Sequence, residues 1–134
     1  MQSLKLKSKT QTVSIRCPTQ KAYEFISNLE NLPKWAPAFA KSIAQTGGQW
    51  VIQTDQGPVG IRMCEKNSFG VVDHYVSPAP GVEIYVPMRI VANGSECEAI
   101  FTLFQMPGMT EERFAQDTEL VRRDLNTLKQ ILEK

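Results

Sequence analysis

Polar and apolar residues alternate along this chain with two different periods, and the changes of period mark out its elements. Over residues 11–16 the alternation is strict: Val13 and Ile15 share one face, Thr12, Ser14 and Arg16 the other. That is the pattern of a half-buried strand. The period then lengthens. Ala22, Phe25, Ile26 and Leu29 fall at i, i+3, i+4 and i+7 and predict an amphipathic helix. Cys17-Pro18 is expected to set the proline at the first helical position, where its missing N–H costs nothing. Asn28, Asn31 and Pro33 close the helix, and Trp35 follows in a segment too proline-rich for a long helix, read as a loop.

Period two then returns for most of the chain. Residues 39–46 and 49–55 predict a hairpin around Gly47-Gly48, and residues 59–66 a further strand with Val59, Ile61 and Met63 on one face. Residues 69–76 predict the next strand, and the run Ser77-Pro-Ala-Pro-Gly81 a loop. In residues 83–92, Ile84, Val86, Met88 and Ile90 oppose Glu83, Tyr85, Pro87 and Arg89. Pro87 marks that run as an edge, a bulge or an interruption. Asn93-Gly94 predicts a tight turn into residues 95–105. The last element, residues 111–133, is a helix about 35 Å long at ~1.5 Å per residue. Thr110 is its N-cap, and Phe114, Val121, Leu125, Leu128 and Leu132 form its apolar stripe. Thr118 interrupts the stripe with a hydroxyl that either bonds back to its own helix or faces a ligand.

Composition narrows the function classes. With 42% apolar and 22% charged residues over 134 positions, the chain is expected to fold as one domain with a sizeable core. Fifteen basic and fourteen acidic side chains nearly cancel, so no global field favours nucleic acid or an anionic membrane. The Leu4-Lys5-Leu6-Lys7 alternation lacks the apolar core of a secretory signal and reads as a frayed strand start. No stretch is long and apolar enough to span a bilayer. Three scattered cysteines, Cys17, Cys64 and Cys97, argue for reduced thiols and a cytoplasmic location rather than a disulfide framework. One histidine with these cysteines makes no zinc site, so no metal is expected. Phosphate-loop, dinucleotide-binding and nucleophile-elbow motifs are absent as well.

The stretch IRCPTQKAYEFISNLENLPKWAP, residues 15–37, followed by a run of strands and a long final helix, resembles the entrance to a START-like domain of the SRPBCC superfamily. That superfamily includes polyketide cyclase/dehydrase and lipid-transfer relatives. The resemblance spans about residues 12–134 and implies an α+β helix-grip fold. In that fold a curved antiparallel sheet of six to seven strands wraps a long C-terminal helix, with one or two short helices after the first strand. A sheet gripping one helix leaves space at its open end, which the Trp35 segment and the 77–81 loop would rim.

The expected wall comprises Trp35, Phe39, Trp50, Ile61, Met63, Val72, His74, Val86, Met88 and Phe101, with Phe114, Thr118 and Val121 from the helix. Phe101, Val121, Leu125 and Leu128 also read as plain core, Trp35 as either rim or core, and the methionines as adaptable fillers. His74 shares a face with Val72 and Val76 and is the one imidazole that could serve as acid, base or hydrogen-bonding group. A backbone-satisfied core histidine is its other reading. Asp73 points to the opposite face. Arg62 and Arg89 alternate outward, toward solvent or a glutamate on a neighbouring strand, unless a bulge at Pro87 swings Arg89 inward.

The resemblance implies cofactor-independent binding of a small hydrophobic ligand: a lipid, a polyketide-like aromatic or an isoprenoid. It implies as an alternative a cyclase, aromatase or dehydratase using His74, and as a third a chaperone-associated interaction module. Neither nucleic acid nor an integral membrane segment is expected, and both monomer and homodimer stay open.

Overall fold

The structure is a computed structural model that describes residues 5–134, so Leu4 and its part of the Leu-Lys alternation lie outside the described residues. Strand β1 spans Ser8–Ile15, starting earlier than its own alternation indicates because β8 runs beside it from Ser8↔Phe104 to Ile15↔Cys97. The Cys17 N–H then bonds back to the Ile15 carbonyl at 2.9 Å and turns the chain into helix α1, Thr19–Ser27. Pro18 is the N-cap of α1 and not its first residue: with ψ at 152° it is still extended. Ala22 and Ile26 are buried as the spacing predicts, and Leu29 opens a single 3-10 turn capped by the Asn28 side chain.

The expected loop at Trp35 is instead a short helix, α2, Leu32–Trp35, with Pro33 in the first turn, where a helix tolerates it. Turn bonds from Phe39 and Ala40 to the Ala36 carbonyl delay the next strand. Strand β2 therefore covers Ser42–Thr46 rather than starting at residue 39. β3, Gln49–Thr54, and β4, Gly57–Met63, follow as antiparallel neighbours.

Two expectations fail in the next stretch. Residues 69–73 are not regular strand, because the Asn67 side chain bonds to the backbone of Glu65, Phe69 and Val71 and folds the chain into a compact loop. Strand β5 begins only at His74 and continues to Ala79, through most of the expected 77–81 loop. A register shift between Val76 and Ala79 sets Pro78 where no ladder N–H is required.

The run containing Pro87 is interrupted, one of the three outcomes the proline allows. β6, Val82–Val86, pairs with β5, whereas β7, Met88–Asn93, pairs with β8, Glu96–Phe104. Two sheets result, ordered β1-β8-β7 and β2-β3-β4-β5-β6. They meet along one seam, where Thr102 N–H bonds the Pro87 carbonyl at 3.0 Å, Val72 N–H the Met88 carbonyl at 3.0 Å, and Ile90 N–H the Gly70 carbonyl at 2.8 Å. The eight strands among the described residues thus form one curved antiparallel surface, and counting β6 and β7 as a single strand broken at Pro87 leaves seven. The β7–β8 hairpin closes at Asn93↔Glu96, with Gly94 at φ 64° and Ser95 as its turn residues. Asn93 itself stays in the strand.

Helix α3, Glu111–Leu132, lies over β1 and against α2. Thr110 caps it by accepting the Arg113 N–H at 3.0 Å. Phe114, Leu125, Leu128 and Leu132 are buried and Val121 half-buried, so the stripe read from the sequence is the face that packs inward.

Candidate functional site

The inner surface is built in rows across the strands. Trp50, Ile61, Val76 and Ile84 stand opposite one another from β3 to β6, and Met63, His74 and Val86 form the next row. Met88 faces Phe101 across β7 and β8. The structure gathers Trp35, Ile61, Val72, Val86, Met88 and Phe101 into one apolar cluster, with Phe39, Trp50, Met63 and Val121 half-buried against it. Phe114 is buried outside that cluster. Trp35 is therefore no exposed rim: α2 turns it inward to 3% exposure, and its indole N–H has no partner. The Thr118 hydroxyl donates to the Phe114 carbonyl one turn back at 2.8 Å, and the Thr118 carbonyl accepts from the Gln11 amide at 2.9 Å.

His74 opens β5 at 5% exposure, its ring tilted 60° against Phe101 at 5.9 Å between centroids. Its Nδ1 lies 3.2 Å from the Val72 carbonyl. A carbonyl can only accept, so Nδ1 carries the proton and Nε2 presents a lone pair. Burial lowers the pKa of the imidazole by penalising its charged form, against smaller opposing effects of the Val72 carbonyl and Asp73. A neutral imidazole with a free lone pair can accept a ligand hydroxyl or withdraw a proton.

Asp73 takes the opposite face and has a structural task. Its carboxylate accepts the Met88 N–H and the Tyr85 hydroxyl, each at 2.8 Å, and pairs with Arg89. Arg89 thus stays on the outside and finds Asp73 rather than a glutamate. Arg62 pairs with Glu83 through two bonds of 2.8 and 2.9 Å and lies over the Tyr75 ring at 4.0 Å. The bulge that would swing Arg89 inward does not form; the proline breaks the strand instead.

Asp124 is not among the residues expected at the site, although its spacing signals it: 121, 124, 125 and 128 share one helical face. Asp124 is buried, and its Oδ1 accepts the Ala38 N–H at 3.0 Å, tying α3 to the turn after α2. Desolvation pushes its carboxyl up to about 6, against the pull of the Ala38 and Phe39 amides and of Lys41 and Arg123. Asp73, His74 and Asp124 are the buried polar side chains among the described residues. Among the hollows on the surface of the described residues are two that include no residue of the expected wall. One of about 340 Å³ lies between the start of α1, the Asn67 loop and β7. The other, about 550 Å³, runs along the outer face of α3.

No family model matches the chain, and no curated protein matches it. Solved structures do. A START superfamily protein from Mycobacterium smegmatis is 12% identical with a TM-score of 0.69, the match covering 94% of this chain and 97% of that one. The Zhui aromatase/cyclase from Streptomyces sp. R1128 is 13% identical with a TM-score of 0.73, over 96% and 94%. The protein XoxI from Bacillus cereus is 16% identical with a TM-score of 0.74, over 93% and 94%. At these identities the likeness is one of fold, and it extends along nearly the whole chain.

Proposed function

With the helix-grip fold of START-like proteins as its premise, we propose that residues 1–134 act as one domain that binds a small hydrophobic molecule between the sheet and α3. The supporting observation is the half-buried set Phe39, Trp50, Met63 and Val121. These come from the α2–β2 connection, two strands and the final helix, and they pack on the core without being fully covered by it. An apolar ligand completes that cover, at roughly 25 cal/mol per Å² of apolar surface removed from water. A lipid, a polyketide-like aromatic or an isoprenoid has the necessary apolar body. Native mass spectrometry of freshly purified protein tests this. A co-purifying small molecule lost on Phe39→Asp and Val121→Asp substitution is the expected result. Protein that is ligand-free and takes up neither lipid nor aromatic extracts overturns it.

His74 favours a second reading on the same interior, a cyclase-, aromatase- or dehydratase-type enzyme. A buried, neutral imidazole with an available Nε2 is poised to take a proton from a bound ligand. Under this reading His74→Ala stops conversion of the bound molecule while folding and affinity survive. Unchanged conversion removes His74 from any catalytic role.

A further inference from the structure

Strand β7 presents part of its backbone to a hollow on the surface, and the alternation of its ladder shows which part. Thr102 N–H bonds the Pro87 carbonyl, so Arg89, Val91 and Asn93, two, four and six residues on, turn their peptide groups toward β8. Met88, Ile90 and Ala92 turn theirs the other way. Residues 70–72 take up the first two of these: the Met88 carbonyl accepts from Val72, and Ile90 N–H donates to Gly70. The Val71↔Arg89 bridge between them is antiparallel, so this segment lies on β7 as a short added strand. The chain bends at Ser68 and Phe69, and the added strand stops short of Ala92. There β7 borders the hollow of about 340 Å³ between the start of α1 and the Asn67 loop.

The lining of the hollow indicates what fits. It combines the apolar surfaces of Tyr23, Phe69, Ile90 and Val91 with uncharged polar groups, and it holds no lysine, arginine, aspartate or glutamate. An ion finds no counter-charge there. A peptide unit supplies one donor and one acceptor, the complement of the N–H and C=O of Ala92. Sheet edges are ordinarily guarded by a charged side chain or a proline, and the lining contains neither. Phe69 stands beside the edge at 80% exposure, on a loop that the Asn67 side chain fixes by accepting the Phe69 and Val71 N–H groups. A ring held this way loses little freedom when it is covered. We infer that the hollow receives an uncharged, extended peptide segment of a partner protein. The segment continues the line of residues 70–72 along β7, exchanges two backbone bonds with Ala92 and lays apolar side chains on Phe69 and Val91. This site lies outside the interior proposed for a small hydrophobic molecule and stands or falls independently of it.

Heteronuclear NMR of isotope-labelled protein, titrated with the blocked peptide acetyl-Thr-Val-Thr-Val-Thr-amide, tests the inference. Its fully N-methylated counterpart is the control. Shifts are expected to centre on the amides of Gly70, Val91 and Ala92. The N-methylated peptide keeps every side chain but has no N–H for the Ala92 carbonyl, and is expected to bind roughly tenfold more weakly. Phe69→Ser alters an exposed position, so the fold is retained while the unmodified peptide binds about tenfold more weakly. Equal binding of the two peptides overturns the inference, as does binding unchanged in Phe69→Ser. Shifts centred on interior residues such as His74 and Met88, or no shift at millimolar peptide, overturn it as well. Analytical ultracentrifugation of the chain alone checks the other occupant. A dimer that Phe69→Ser dissociates would place a second copy on this edge in the partner's stead and overturn the inference.

Discussion

Burial acts on His74 and Asp124 in opposite directions, because the first is charged when protonated and the second when it is not. The folded state lowers the His74 pKa, so the unfolded chain takes up that proton first and stability falls as pH drops through the ordinary imidazole range near 6.5. Replacing His74 by Phe removes this component. Urea midpoints measured from pH 7.5 to 5.5 are expected to fall less steeply for the variant than for wild type. Asp124 works the other way. Its carboxyl is pushed up to about 6 from 3.8, so the folded state keeps the proton longer. Its ionisation therefore costs stability as pH rises through that interval, and the loss is complete above it. Asp124→Asn keeps an oxygen for the Ala38 N–H without the buried charge. It is expected to raise stability at pH 7 by on the order of 1–2 kcal/mol and to flatten the dependence between about pH 4 and 6. A destabilised variant at pH 7 would show that the charged form is needed to hold the turn after α2. The imidazole stands out in the sequence because it is the only one; the carboxylate is one of fourteen acidic residues, although its helical spacing sets it on the inward face.

At the scale of elements, the seam at Pro87 decides the shape of the sheet. The proline is visible in the sequence and so is its disruptive effect, but what repairs the break is not. Asp73, fourteen positions earlier, supplies the acceptor for the Met88 N–H just beyond the proline and for Tyr85 just before it. Asp73→Ala strands both donors and is expected to cost about 3 kcal/mol by chemical denaturation. Arg89→Ala removes a side chain that is 40% exposed and should cost about 1 kcal/mol or less. Equal losses would mean that the ion pair, not the backbone contact, holds the seam. Gly70 guards the same place: its φ is 74°, and a Cβ there would lie 2.1 Å from the Ile90 carbonyl oxygen. Gly70→Ala should lower stability by roughly 2–4 kcal/mol, read from the same denaturation curves. The opposite error, reading residues 77–81 as a loop, has a matching cause. Proline and glycine there signalled a turn, but the register shift within β5 leaves Pro78 no ladder bond to lose.

For the whole molecule, the thiols offer a probe of how the layers come apart. Cys17 and Cys97 are buried neighbours, and burial together with the adjacent Cys17 thiol pushes Cys97 up to about 12. Cys64 is half-exposed and sits on the loop side of β4. Iodoacetamide in excess is therefore expected to label Cys64 first and the other two only at the rate of global opening, with mass spectrometry resolving the sites. Early labelling of Cys17 would show that the β1–α1 corner opens by itself.

The sequence by itself determined the first strand and helix, the inward faces of β1, β4 and α3, the final helix, a disturbance of some kind at Pro87, and the opposite orientations of His74 and Asp73. Each of these follows from local periodicity or from the backbone chemistry of one residue. Only the tertiary structure decided that Trp35 is turned into the core with an unpaired N–H, that Asp124 is buried, and that Asp73 closes the seam. Burial and hydrogen-bond satisfaction depend on groups brought together from α2 and α3, or from the Asn67 loop and β7. Those separations carry no periodic signal, so they become legible only once the elements pack.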